Sequence, residues 1–121
     1  DEEELGFSSS LDSEWMSDVK KFVEEHIEDP ELTPSVLYRE FGMSRSAFYH
    51  KTKTLMDLSP LELIRTIRLK KSKTLLVPGV DISQVAYEIG FNNPKYFSTV
   101  FKKYFEQTPT DFIAQKTELK S

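Results

Sequence analysis

The sequence contains no cysteine. That excludes disulfide staples, thiolate metal sites and a cysteine nucleophile, and it suits a reducing compartment. Histidine is nearly as scarce. His26 and His50 fall in different segments with no paired carboxylates around them, so neither a metal centre nor a Ser/His/Asp triad is expected. No metal or other cofactor, and no enzymatic activity, is expected. No apolar run approaches the ~20 residues that cross a bilayer, and the opening residues lack the charged-then-apolar pattern of a secretory leader. No membrane contact and a cytoplasmic location are therefore expected. Beginning at Asp1, the chain is expected to be a fragment or a processed product. Period-two alternation is also missing, so no sheet is expected.

What is present is an uneven charge. Residues 1–32 hold twelve Asp/Glu against Lys20 and Lys21, a net of −10; residues 33–121 hold fourteen Lys/Arg against eight Asp/Glu, a net of +6. An acidic lead-in followed by a basic body points to an anionic partner for the body, nucleic acid being the common case. Solubility alone is the competing explanation for the lysines.

Helix punctuation is dense. Thr33-Pro34, Ser59-Pro60, Asn93-Pro94 and Thr108-Pro109 each place a capping residue before a proline at the first helical position, where its missing N–H costs nothing. Ser59 with Glu62, Asp81 with Gln84 and Thr108 with Asp111 have capping-box spacing. Gly42, Gly90 and Val77-Pro78-Gly79 read as helix ends. The expected fold is all-α, with helices over 13–28, 34–41, 45–56, 60–77, 82–89, 94–105 and 109–117. Residues 1–11, rich in acid and serine, read as a flexible linker. The chain then divides into 12–57, a leading helix and first helix-turn-helix subdomain; 58–79, a connecting helix; 80–117, a second subdomain with a final helix; and 118–121, a tail.

The two subdomains are copies. Thr33–Gly42 aligns with Asp81–Gly90 at an offset of 48, and Ser44–Pro60 with Asn93–Pro109 at an offset of 49. In each, a short helix ends at glycine and a longer one starts at a capping residue, the order of a DNA-reading helix-turn-helix. On a wheel, Phe97, Val100, Phe101, Tyr104 and Phe105 fall on one side of the second long helix. Lys95, Ser98, Thr99 and Lys102 fall on the other, with Tyr96 and Lys103 at the flank. In the first copy Phe48, Leu55 and Met56 face inward; Ser46, Tyr49, His50 and Lys53 face outward, with Arg45 at the helix start. Neither outer face carries an acid. Lysine and arginine can pair with guanine or phosphates, and small polar residues let a helix sink into the major groove. The alternative is a helix-turn-helix-derived protein-interaction or dimerisation module, which would present an outward apolar patch in place of the cations. "RLKKSK", residues 68–73, reads equally as a phosphate-contacting patch or a solvated face.

From Leu32 to Ile113 the chain resembles the DNA-binding domain of AraC/XylS-type transcription regulators. "ISQVAYEIGFNNPKYFSTVFKKYFEQTP" is similar to that family's signature, with Ala86, Gly90-Phe91, Tyr96-Phe97-Ser98, Phe101-Lys102-Lys103 and Thr108-Pro109 in step. "LYREFGMSRSAFYHKTK" resembles the equivalent first-copy segment, and "IRTIRLKKSKTLL" the connecting helix. The resemblance implies two recognition helices entering the major groove on one face of double-stranded DNA. It places base-reading positions on Arg45, Ser46, Tyr49, His50 and Lys53, and on Lys95, Ser98, Thr99 and Lys102 with Asn93 nearby. An 18-residue connecting helix would span about 27 Å, compatible with the ~34 Å of one DNA turn. RNA polymerase, and a second copy bound through regions outside this chain, are further implied partners. The lead-in also resembles the junction in hybrid two-component regulators of carbohydrate-use genes. The chain departs from the family at Asp57 and Glu106, where glycine is usual; at Thr52, where a large apolar residue is usual; and at Phe112-Ile113, where Tyr-Arg is usual. A polar Thr52 facing inward makes the first subdomain the expected looser one.

Overall fold

The computed structural model describes the backbone of residues 2–120 and the side chains of residues 10–117. Within that span the chain is seven helices: α1 (Glu2–Glu25), α2 (Pro34–Glu40), α3 (Arg45–Met56), α4 (Pro60–Leu75), α5 (Ile82–Glu88), α6 (Pro94–Phe105) and α7 (Pro109–Lys120). Six begin where expected and end within a few residues of expectation. The exception is α1, whose start is Glu2 rather than residue 13. No proline interrupts the stretch read as a linker. The flexibility expected of residues 1–11 concerns side chains that lie largely outside the described residues, as does the 118–121 tail.

Two compact units divide the chain. Unit 1 holds the residues up to His26 together with Glu31–Ile67; unit 2 holds Ile27–Pro30 and the residues from Arg68 onward. Helix α4 begins in unit 1 and ends in unit 2. It supplies Leu63 and Ile64 to the first core and Leu69 to the second.

Unit 1 is built around Phe48. Its ring is fully buried among Val19, Val23, Leu37, Leu63 and Ile64. The Trp15, Tyr38 and Phe41 rings stand 5.2, 5.4 and 6.1 Å from it. Burying such a ring contributes roughly 1.5–3 kcal/mol, which fixes the inner side of α3. Thr52, also on that side, is fully buried and donates its hydroxyl to the Tyr49 carbonyl at 3.1 Å, the local bond that lets a polar group sit in an apolar core. Outside the core, the Lys51 ammonium lies 4.5 Å over the Trp15 ring.

Unit 2 repeats the plan with more aromatics. Phe97 and Phe101 are fully buried with Val85, Ala86, Ile89 and Phe91. Ring-to-ring steps of 5.4, 5.7 and 4.7 Å link Phe91, Phe97, Phe101 and Phe105. Tyr104 departs from the wheel. It is 46% exposed, its ring edge against Phe105, where an inward position was expected. A phenol so near the helix end keeps its hydroxyl in water at little cost.

The caps are mostly as spaced. Ser44 accepts from the Ala47 N–H, and Asn93 from those of Lys95 and Tyr96. At Ser59 the cap forms, with the Glu62 N–H on the Ser59 hydroxyl, but the second bond runs from that hydroxyl to the Glu62 carboxylate, side chain to side chain, and not from the Ser59 N–H as a capping box would have it. Thr108 accepts from Asp111. Two other expectations fail. Thr33 makes no side-chain cap and its carbonyl receives the Val36 N–H. Asp81 caps Ser83, two residues on, while Gln84 turns away to Glu88. The short helices end alike: the Met43 N–H reaches Tyr38, the Phe91 N–H reaches Ala86, and Gly42 and Gly90 take positive φ.

"RLKKSK" resolves residue by residue. Arg68 and Ser72 are buried, Lys70 and Lys71 exposed, and Lys73 lies 4.6 Å over Phe105 and 5.3 Å over Phe112. Lys116 closes the end of α4, donating to the carbonyls of Lys73 and Leu76 at 2.6 and 3.1 Å. Burial pushes the Arg68 guanidinium below its ordinary value, with Asp29 opposing the shift.

Candidate nucleic-acid interface

The N-cap at Asn93 and the buried Phe97 and Phe101 set the roll of α6 and therefore what it turns outward. Lys95, Thr99 and Lys102 are exposed, and Ser98 is half-buried. These four sit at i, i+3, i+4 and i+7 and share one face. The Thr99 hydroxyl donates to the Lys95 carbonyl at 3.0 Å, which fixes its rotamer and leaves its lone pairs outward-capable acceptors. Asn93 is exposed, but its side-chain oxygen is committed to two backbone N–H groups. It starts the helix, and only its amide nitrogen remains to reach outward.

The first-copy set is arranged by the same means. Ser44 caps α3 and Phe48 anchors it, leaving Arg45, Ser46, Tyr49 and His50 exposed. The Tyr49 ring is 48% exposed. Lys53 is half-buried and stands 3.9 Å from Asp57, whose side chain is 99% exposed. Such a pair is worth little and yields readily to a phosphate. Neither helix carries an Asp or Glu along its length. An ordinary solvated face mixes signs; these two mix only cations, hydroxyls, an imidazole and a phenol.

Each set of sequence-predicted residues is thus gathered on one helix face, one in each unit. Two neighbours were placed only at the flank of the wheel. Tyr96 and Lys103 are exposed on α6, and both extend its polar side. Among the described residues no group of three or more His, Asp or Glu could hold a metal ion, and no helix is long and apolar enough to cross a membrane.

Residues 37–115 match the family described as "Helix-turn-helix domain". That span is well over half of the chain and includes both copies. The chain belongs to the AraC/XylS-type helix-turn-helix family. It is a DNA-binding transcription-regulator domain of that family, which is not a family of enzymes. It is 35% identical over 111 residues to "Histidine kinase P4" of Formosa agariphila, covering 91% of this chain and 8% of that protein. The chain therefore spans under a tenth of that relative's length. Among solved structures it resembles the C-terminal domain of the two-component response regulator YesN of Fusobacterium nucleatum. The TM-score there is 0.74 at 26% identity, covering 82% of this chain and 97% of the other. It also shares the fold of the AdpA DNA-binding domain, solved with a target DNA (TM-score 0.74, 23% identity, 82% and 89% covered).

The departures from the AraC/XylS-type pattern now have a geometry. Asp57 and Glu106 end α3 and α6 at φ +57° and +62°, and each N–H reaches back to the carbonyl of Lys53 or Lys102. The turn is the one glycine would make, built with residues that are strained in it. Phe112, where the family has tyrosine, packs on Phe101 at 5.9 Å and under two lysines.

Proposed function

We propose that α3 and α6 are a tandem pair of recognition helices that enter the major groove on one face of double-stranded DNA. In this reading Arg45, Ser46, Tyr49, His50 and Lys53 serve one groove segment, and Lys95, Ser98, Thr99 and Lys102 the next, with the Asn93 amide at the helix start. The observation that carries it is the repeated acid-free outer face on two helices whose inner sides are pinned by buried phenylalanines. Lysine and arginine supply phosphate neutralisation and guanine contacts; the hydroxyls, imidazole and phenol discriminate among base edges. Anchoring the backs of the helices lowers the ordering cost of binding, because the contact groups are already held in place.

The wider setting belongs to the same proposal. Similarity to a histidine kinase and to a response-regulator output domain supports an output domain of a two-component system, acting in the cytoplasm. Carbohydrate-use genes are the expected targets, from the resemblance to hybrid regulators. RNA polymerase is a further partner in that scheme, and pairing with a second copy runs through regions outside these residues.

Selection of bound sequences from a random DNA pool tests the reading directly. A defined motif should emerge, with binding that falls steeply with salt at a log–log slope of about −5 to −8. Lys95→Ala and Thr99→Ala should relax preference at the positions they face, at roughly 1–3 kcal/mol per lost base contact. Salt-insensitive binding, or an unchanged sequence ranking in both variants, would refute the assignment.

A further inference from the structure

The two copies differ at the glycine that ends the first helix of each. A Cβ added at Gly42 would meet nothing within 4 Å. One added at Gly90 would run into the backbone carbonyl of Ile27 and lie 2.7 Å from both Nε and Nη2 of Arg68. Arg68 is buried in α4, and the same guanidinium donates from Nε to the Ile27 carbonyl at 3.3 Å and from Nη2 to the Asp29 carbonyl at 2.6 Å. These are backbone partners 39 and 41 residues away in sequence. Ile27–Pro30, the segment that follows α1, accordingly belongs to unit 2 and not to the unit that holds α1.

Gly90 stands three residues before the cap of α6. Between them, the Phe91 N–H closes the turn onto Ala86, and the Phe91 ring packs on Phe97. A shift at Gly90 therefore tilts the Asn93 cap and, with it, the whole outward face of α6. We propose that Arg68 is a positioning residue for the second recognition helix, pinning Ile27–Pro30 against the Gly90 turn so that a segment ahead of the first helix-turn-helix sets the start of α6. Gly42 has no such neighbour, so the first recognition helix is independent of this clamp. Displacing Ile27–Pro30, into which α1 leads, degrades reading by α6 and spares α3. The clamp is thereby a point at which a change ahead of the domain can act on half of the DNA site. Losing the guanidinium removes a donor from the buried Ile27 carbonyl and from the part-buried Asp29 carbonyl, and the buried one is costly to strand.

The inference rests on the reading of α6 as a base-contacting helix, and two arms separate its failure from that of the reading. In the first, full-length Arg68→Ala and Arg68→Lys are footprinted with hydroxyl radicals on the selected site. The segments belonging to α6 and α3 are mapped beforehand with Lys95→Ala and Arg45→Ala. Arg68→Ala should lose tenfold or more in affinity, with protection vanishing over the α6 segment and unchanged over the α3 segment. Arg68→Lys, able to serve one carbonyl, should fall between. Equal loss over both segments, or none, overturns the proposal. The second arm needs no DNA and uses the milder Arg68→Lys, so it stands even if Arg68→Ala does not fold. Amide exchange should accelerate at Phe91 and through the first turn of α6 and stay unchanged at Met43. Equal acceleration at Phe91 and Met43 overturns the clamp. If wild-type protein selects no sequence while the exchange result holds, the clamp stands and the DNA reading fails.

Discussion

Replacing Glu106 by glycine is expected to stabilise the chain by about 1 kcal/mol. Glu106 closes α6 at φ +62° and ψ 20°, a region that costs a residue with a Cβ roughly 1–2 kcal/mol. Glycine adopts it freely but brings about 0.5–1 kcal/mol of extra unfolded-state entropy. Removing an exposed carboxylate from the negative end of the helix dipole adds a smaller, salt-screened gain. For a domain of this size 1 kcal/mol corresponds to about 3–6 °C in Tm. Urea unfolding of Glu106→Gly beside Glu106→Ala separates the terms, since alanine loses the charge but keeps the backbone strain. Alanine should stay within about 0.5 kcal/mol of the parent. A glycine variant no more stable than the alanine variant would refute the strain argument. Asp57→Gly, at the equivalent position of α3, should gain less. Aspartate tolerates the left-handed region better than glutamate, and its removal also breaks the pair with Lys53.

Other expectations follow from packing. Phe97→Ala should cost about 3–5 kcal/mol by emptying the centre of unit 2, measured as a fall in urea midpoint; a loss below 1 kcal/mol would mean the site collapses around the gap. Thr52→Val keeps the shape and removes a buried hydroxyl that donates to a carbonyl of its own helix, so stability should be unchanged or rise by up to about 1 kcal/mol. A clear destabilisation would show that the hydroxyl does more than satisfy itself. Native-state hydrogen exchange should find the core amides of unit 1 opening before those of unit 2, and equal protection would contradict a looser first unit. Lys116→Met should cost about 1–2 kcal/mol by stranding the carbonyls at the end of α4, and an unshifted urea midpoint would argue that water replaces the ammonium.

The helices were legible in the sequence because their ends are written in residues with one local job each. Asn93, Ser44 and Ser59 cap because their side chains reach the next turn without help from the rest of the fold. The roll of α6 was equally legible, since phenylalanines at helical spacing leave one way to bury them. What failed locally was competition between near-equal options. Asp81 found Ser83 rather than Gln84, and Tyr104 could satisfy both ring and hydroxyl at the surface. What could not be read was tertiary. Nothing around Arg68 in "RLKKSK" signals that its partners are two carbonyls some forty residues earlier, and nothing near Lys116 signals the end of α4. Backbone acceptors have no letter in the sequence, so cations that bind them look the same as cations that bind water.

The lysines laid over rings and against carbonyls divide the amines of this chain by chemical reactivity. Lys73 and Lys116 sit against Phe105 and Phe112, and Lys51 sits over Trp15. Each must leave its partner before an acylating reagent can reach the nitrogen. Lys95, Lys102 and Lys103 are exposed on α6, and Lys70 and Lys71 on α4, with no such obstacle. Graded acetylation should therefore strip the outward charge of α6 first and reach the fastening amines of both units last. Capacity to hold DNA would then be abolished in a protein whose helices are still in place.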